Sequence, residues 1–156
     1  MVDTPVNLWR ARPPHSAPVT SEGDSVGVLY PDFEARDLPG GGQRRPDVTE
    51  IDGDVQTGGG TSLWNIEGAL DVAGRDPWVY FPIPVGTPIP PSLNLHKSKK
   101  NRRTPSGRKG RHYQIEVDAP MTRQAYKDAL DTYARAAFAK RYTDARAPAA
   151  KPEKVE

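Results

Sequence analysis

Hydrophobic and polar residues alternate most regularly between residues 112 and 117. His112, Gln114 and Glu116 fall on one face of this pattern, and apolar residues fall on the other. A period of two residues is that of a β-strand with one face buried, so the pattern predicts a strand here. The predicted core face consists of Tyr113, Ile115 and Val117.

Two further segments are typical of strands. Residues 6–11 alternate in the same way and predict a strand with Arg10 at its end. Residues 78–83 are rich in aromatic and β-branched side chains. Because proline cannot donate a backbone hydrogen bond, Pro82 and the prolines of residues 84–91 indicate an edge strand or a bend.

Helical spacing occurs twice. Thr122 is predicted to cap a helix that packs one apolar stripe on the sheet. The stripe consists of Tyr126, Ala129, Leu130, Tyr133, Ala137 and Phe138. A shorter helix is predicted after the glycines at 58–60, with Thr61 or Ser62 near its start. Residues 32–57 show no period, which indicates an unrecognised element or a functional loop.

The composition favours one loop-rich domain. The chain has 156 residues, including 14 Gly and 17 Pro, and only 35% are hydrophobic, which disfavours a helical bundle. We expect the domain to span residues 1–143 and residues 144–156 to form a disordered tail. The absence of cysteine excludes a disulfide scaffold and a thiol nucleophile. No apolar run approaches the ~18 residues of a membrane span, and residues 1–12 lack the apolar core of a signal peptide.

The charge is distributed unevenly. The net charge is +2, yet no acidic residue occurs between residues 77 and 115. Eight of the 22 basic residues lie within residues 97–111, so the rest of the chain carries 14 basic and 20 acidic residues. This segment is interpreted as a solvated loop, as an attractor for an anionic substrate or acidic protein, or as a nucleic-acid contact. The eight residues are Lys97, Lys99, Lys100, Arg102, Arg103, Arg108, Lys109 and Arg111.

Two local patterns are candidates for chemistry. The polar row beginning at His112 is either a solvated strand face or a set of convergent acid, base and orienting groups. The turn at residues 58–62 is either a mobile loop or a set of backbone donors for a phosphate. His15 and His96 have no partners at metal-ligand spacing, so no metal site is predicted.

Several separated motifs resemble one toxin family. They are Leu8-Trp9-Arg10, Gly59-Gly60-Thr61-Ser62-Leu63, the segment from Ile83 to Pro91 with Leu93, His112-Tyr113 with Ile115, and Pro120-Met121. In order and content they resemble the type VI secretion effector toxins, the second of the Tse series, that have an ADP-ribosyltransferase-like fold. The Gly-Thr-x-Ile-Pro-Pro and His-Tyr-x-Ile segments are the most specific.

The resemblance implies an α+β fold, with a compact mixed or antiparallel β core and few helices. It implies an NAD-dependent ADP-ribosyltransferase that acts in the target-cell cytosol, is exported without a signal peptide, and has a cognate immunity protein. Thr61, Ser62 and His112 match the family residues implicated in toxicity. Leu8-Trp9-Arg10 and Gln114-Ile115-Glu116 are also similar to two elements of arginine-type transferases.

These similarities assign expected roles. Ser62, His112, Gln114 and Glu116 are the expected catalytic residues, with Glu116 stabilising a cationic ribose. NAD is expected to contact Arg10, Gly60, Thr61, Ser62 and His112, with Arg10 on the diphosphate. The alternatives are a module that binds RNA or an acidic protein through the basic segment, and a toxin that uses this fold without NAD.

Overall fold

The centre of the molecule is a five-stranded antiparallel sheet. The computed structural model describes residues 2–146, with side chains to residue 141. In chain order its strands are β1 (Leu8–Arg12), β2 (Thr61–Trp64), β3 (Val79–Ile83), β4 (Leu93–Lys97) and β5 (His112–Val117). Their spatial order in the sheet is β4-β5-β2-β1-β3.

The predicted strand at residues 112–117 is confirmed with the predicted faces. Tyr113, Ile115 and Val117 are buried, and the three polar residues that alternate with them are half-buried. The strand at residues 78–83 is also confirmed, and it lies at one edge of the sheet. Pro82 is accommodated there because an edge strand leaves one row of backbone donors unpaired.

Strand β1 differs from its prediction at its end. Arg10 lies in the middle of the strand, opposite Phe81, and the strand continues to Arg12. Pro13 follows directly, and the residue before a proline favours extended backbone. Arg10 is therefore fixed by pairing on the sheet.

The predicted short helix after the glycines at 58–60 is wrong. Residues Thr61–Trp64 form β2, which pairs with β5 so that Ser62 lies opposite Gln114. A short apolar run is ambiguous between helix and strand, and here pairing on the sheet decides it. Strand β4 was not predicted from the sequence; it follows the proline-rich segment and pairs with β5 at the other edge of the sheet.

The connection at residues 32–57 contains two small hairpins. One joins Arg36–Asp37 to Gln43–Arg44, and the other joins Glu50–Ile51 to Asp54–Val55. Met121–Thr122 adds a third strand to the second hairpin by pairing with Asp54–Val55. Two separate short pairs join Val2–Asp3 to Pro88–Ile89 and Arg102–Arg103 to Lys109–Gly110. Gly23–Ser25 forms a single 3₁₀ turn.

One long helix, α1 (Arg123–Arg146), covers the apolar face of the sheet. The Thr122 hydroxyl oxygen accepts a hydrogen bond from the Ala125 amide at 3.1 Å, which confirms the predicted cap. The buried residues of the helix include Tyr126, Leu130, Tyr133, Ala134 and Ala137, whereas Phe138 is half-buried.

The α+β class, with mostly antiparallel strands, is confirmed. The helix overlaps the start of the segment predicted to be disordered, and residues 147–156 of that segment lie outside the described residues. Within residues 2–146, no helix has the length and apolar character that a membrane crossing requires.

Candidate active site

A cleft of about 340 Å³ opens on the polar side of the sheet. Strands β1, β2 and β5, the hairpin at residues 36–44 and the segment after β4 all contribute to it. Its lining includes Arg10, Asp32, Arg36, Arg44, Asp47, Ser62, Trp64, Trp78, Arg102 and His112. A larger groove of about 690 Å³ lies at the β4 edge, but it is mainly apolar, with Asp3 and Lys97 as its charged residues. Titratable groups therefore converge in the smaller cleft.

Arg10 is a fixed cation of the cleft. Its guanidinium donates to the carbonyl oxygen of Tyr30 at 3.0 Å and to that of Ser62 at 3.2 Å. Burial lowers the pKa of Arg10, and the carboxylates of Asp47 and Asp32 partly offset that effect. A guanidinium stays protonated despite such a shift, so the cleft keeps a positive charge held by neutral carbonyl groups.

His112 lies beside two aromatic and cationic neighbours. Its ring meets the Trp64 ring edge-on, with 5.2 Å between the centroids, and the Arg102 guanidinium lies 5.1 Å from the Trp64 centroid. Burial lowers the pKa of His112, and electrostatic repulsion from Arg102 and His96 lowers it further. The imidazole is therefore neutral at physiological pH and offers one hydrogen-bond donor and one acceptor.

The structure brings together three of the residues singled out by the sequence. Arg10, Ser62 and His112 belong to three different strands, and all three line the cleft. Antiparallel pairing explains this: Ser62 lies opposite Gln114, and Trp64 lies opposite both His112 and Trp9. Residues separated by as much as 102 positions in sequence thus share one surface.

Gln114 and Glu116 lie on the same face of β5 but outside the cleft lining. Glu116 Oε1 accepts a hydrogen bond from the Gly58 amide at 2.9 Å. Gln114 Nε2 donates to Glu116 Oε2 at 3.1 Å and to the Gly58 carbonyl at 3.4 Å. Gly58 has a φ of +96°, a conformation that favours glycine. The two side chains therefore hold the turn that leads into β2.

Thr61 and Gly60 lie in the interior rather than in the cleft. Thr61 is fully buried, and its hydroxyl donates to the Leu29 carbonyl at 2.6 Å. Gly60 is buried so closely against β5 that an added Cβ would overlap the Ile115 carbonyl oxygen. The structure gives both residues a packing role, in contrast to the cofactor contact that the resemblance implies. The structure also disfavours phosphate binding by the turn at residues 58–62. A strand follows this turn instead of a helix, and the Gly58 amide already donates to Glu116.

The charged hairpin at residues 36–44, beside the cleft, was not predicted from the sequence. Arg36 Nε lies 3.3 Å from Asp32 Oδ2, and Arg44 Nη2 lies 3.4 Å from Asp47 Oδ1. The Asp32 amide also donates to Asp47 Oδ2 at 2.7 Å, which closes the base of the hairpin. These contacts depend on chain closure and leave no periodic signal in the sequence. Among residues 2–141, whose side chains the structure describes, no cluster of three or more acidic or histidine side chains has the geometry to hold a metal ion.

Comparison with known proteins agrees with the motifs. The sequence model of the Tse2 ADP-ribosyltransferase toxin family matches residues 3–142. The chain is also similar to Toxin Tse2 of Pseudomonas aeruginosa, with 34% identity over 121 residues. That alignment covers 76% of this chain and 72% of the relative.

The expected family, toxin function and enzyme class are thereby confirmed. A transferase of this kind takes ADP-ribose from NAD. The chain is therefore an enzyme and not only a module that binds RNA or an acidic protein. The chain belongs to the Tse2 ADP-ribosyltransferase toxin family, and it is a toxin with ADP-ribosyltransferase activity.

Proposed function

We propose that the protein binds NAD in the 340 Å³ cleft and transfers its ADP-ribose to a macromolecule. The observation that carries this proposal is the convergence of Arg10, Ser62 and His112 on one concave surface. Pockets for small ligands commonly have volumes from about 300 to 1,000 Å³, so the cleft is at the small end of that range. An elongated dinucleotide extends beyond it along the open polar face.

The charge of the cleft suits a diphosphate. Four guanidinium groups line it against the two carboxylates Asp32 and Asp47, so positive charge is in excess. Arg10 binds the diphosphate, because it is the arginine held by carbonyl groups and leaves its charge uncompensated by a direct ion pair. Planar guanidinium groups match phosphate oxygens with two parallel hydrogen bonds.

Ser62 contacts the nicotinamide ribose, and His112 orients that ribose or the diphosphate next to it. The serine hydroxyl and a neutral imidazole can each donate or accept a hydrogen bond, as the ribose hydroxyls require. Trp64 supports the imidazole from the side and limits its rotation. In this arrangement the reactive sugar lies where β2 and β5 run side by side.

Glu116 stabilises the transition state. When the bond between ribose C1′ and nicotinamide breaks, nicotinamide leaves with the bonding electron pair and the sugar becomes cationic. A fixed carboxylate on that face lowers the barrier electrostatically. Glu116 is four residues from His112 on β5, or about 13 Å at ~3.3 Å per residue, so NAD must lie along the strand to reach both. Gln114, between them, orients the acceptor.

The cellular setting follows from the same chemistry. NAD and macromolecular acceptors are present in cytosol, so the toxin acts in the cytosol of a target cell. Type VI secretion delivers it there. A cell that makes such an enzyme needs a cognate immunity protein that blocks it before export.

NAD turnover by the purified protein tests the proposal. Nicotinamide release is measured alongside the transfer of labelled ADP-ribose to lysate macromolecules. Arg10→Gln is expected to raise KM for NAD at least tenfold, because a charged hydrogen bond to phosphate is worth about 1.5–3 kcal/mol. Ser62→Ala and His112→Ala are expected to lower kcat/KM by a similar factor. Thr132→Ala, on the exposed side of α1, is the control. Unchanged turnover in all three cleft variants would mean that the reaction occurs elsewhere.

A further inference from the structure

Residues 97–111 form a basic hairpin beside the cleft. Its two short strands are Arg102–Arg103 and Lys109–Gly110, and the segment leads directly into β5. The turn is anchored: Thr104 is buried, its hydroxyl donates to the Arg108 carbonyl at 2.9 Å, and the Ser106 amide donates to the Ala69 carbonyl at 3.0 Å. The basic hairpin therefore presents its charges from an ordered position.

The cations of the basic hairpin have no counter-charge in the described fold. Among residues 2–141, whose side chains the structure describes, none of the eight makes a salt bridge to a carboxylate, whereas Arg36, Arg44 and Arg123 each do. The hydrogen bonds that the hairpin arginines donate are to neutral oxygens. Arg103 donates to the Gly107 carbonyl at 2.6 Å, and Arg111 donates to the Asn101 amide oxygen at 2.8 Å. Clustered like charges repel each other, and binding a polyanion removes that repulsion.

The composition of the basic hairpin distinguishes between two kinds of polyanion. Apart from Pro105, residues 97–111 contain no aliphatic or aromatic side chain. Protein interfaces rely on a partly apolar centre with aromatic anchors, which this segment lacks. Interfaces with nucleic acid are more polar and much more positive. The basic hairpin thus fits a phosphate backbone better than the surface of an acidic protein.

The basic hairpin is continuous with the cleft. Arg102 belongs to both, since it projects over Trp64 and lines the cleft. His112 follows Arg111 directly. A strand held by the exposed lysines and arginines would therefore pass the mouth of the cleft, where an activated ribose would lie.

We propose that the basic hairpin binds the phosphate backbone of a nucleic acid and that nucleic acid is the acceptor of ADP-ribose. The second half rests on the proposed NAD function. In the transfer, an acceptor O–H or N–H group of the nucleic acid bonds to ribose C1′ as the bond to nicotinamide breaks. Nicotinamide leaves as a neutral molecule with the bonding pair, and the acceptor loses its proton to water.

Salt-dependent binding tests the first half. The probes are fluorescent single-stranded RNA and DNA oligonucleotides of mixed sequence, titrated from low to physiological salt. Lys99→Gln/Lys109→Gln removes two exposed charges from the basic hairpin. Arg135→Gln/Arg141→Gln removes two exposed charges from α1, on the other side of the sheet, and is the matched control.

Wild-type protein and the α1 control are expected to give the same linear dependence of log K on log salt. The hairpin variant is expected to lower the magnitude of that slope by about 1.4, since each phosphate contact on a single strand contributes ~0.7. The proposal is overturned if the wild type binds neither probe, or if the two double variants have equal slopes.

Transfer of label tests the second half. Labelled NAD is incubated with the protein and a lysate, and the macromolecular label is digested with nuclease or with protease. Nuclease-sensitive label supports the proposal, and label sensitive only to protease overturns it. If wild-type protein releases no nicotinamide with any acceptor, the proposed NAD function itself fails. The slope measurement then still decides whether the basic hairpin binds nucleic acid.

Discussion

Glu116 performs two separable tasks in the proposed mechanism, and Glu116→Gln separates them. The carboxylate accepts a hydrogen bond from the Gly58 amide at 2.9 Å, and its charge is the one assigned to the cationic ribose. Glutamine retains an acceptor oxygen for Gly58 and removes the charge, but its amide nitrogen replaces the oxygen that accepts from Gln114 Nε2. Because Gln114 keeps its hydrogen bond to the Gly58 carbonyl, the substitution tests the electrostatic role at a modest cost to the turn before β2.

The two roles predict effects of different size. Weakening one exposed hydrogen-bond pair costs about 1 kcal/mol, which lowers Tm by roughly 2–4 °C for a protein of this length. Loss of a group that stabilises transition-state charge lowers kcat by about 10²–10³-fold. KM for NAD stays near its original value, because the lost interaction forms only as the glycosidic bond breaks.

The assay combines steady-state nicotinamide release with thermal unfolding. Asp118→Asn is the matched control, since it removes a nearby exposed carboxylate that accepts a hydrogen bond from Asn94 Nδ2 at 3.0 Å. The control is expected to leave kcat within twofold and stability within about 0.5 kcal/mol. A kcat for Glu116→Gln within fivefold of the wild type would refute the catalytic role and leave Glu116 as a residue that holds the Gly58 turn.

Two other substitutions probe packing and ionisation. Gly60→Ala is expected to lower the free energy of unfolding by about 3 kcal/mol, because the added Cβ would overlap the Ile115 carbonyl oxygen. Urea denaturation measures this effect, and an unchanged midpoint would contradict the close packing of β2 on β5. The lowered pKa of His112 means that below the ordinary value of 6.5 the unfolded chain binds a proton that the folded state refuses. Stability should therefore fall as pH drops from 6.5 towards the folded pKa, and His112→Gln should flatten the Tm profile between pH 5 and 8. A variant with the wild-type slope would place that titration on another group.

Close packing also explains why the glycines at 58–60 precede a strand and not the predicted helix. A glycine run before a hydroxyl residue is typical of a phosphate-binding turn that opens a helix. Here Gly58 supplies a positive φ, and Gly60 supplies the absence of a side chain against β5. Both needs arise from neighbours that are distant in sequence. Composition alone could not distinguish them from anion binding.

The residues that line the cleft also divide into those that the sequence identified and those that it did not. Arg10, Ser62 and His112 were identified from short motifs that resemble those of the family. Asp32, Arg36, Arg44 and Asp47 were not identified, since their ion pairs form only when the hairpin at residues 36–44 closes. Alternation and helical spacing in the sequence carry no information about such contacts.

The sequence by itself determined the local periods of this protein. Alternation at residues 112–117 specified a strand and its buried face, and the stripe after Thr122 specified a helix with its cap. Both are short-range consequences of backbone geometry, so neighbouring residues suffice to encode them. Tertiary structure alone decided that Thr61–Trp64 is a strand, that Thr61 points inward and Ser62 outward, and that Glu116 engages Gly58. Strand register decides these features, because a shift of one residue exchanges the two faces of a strand, and register depends on partners far along the chain.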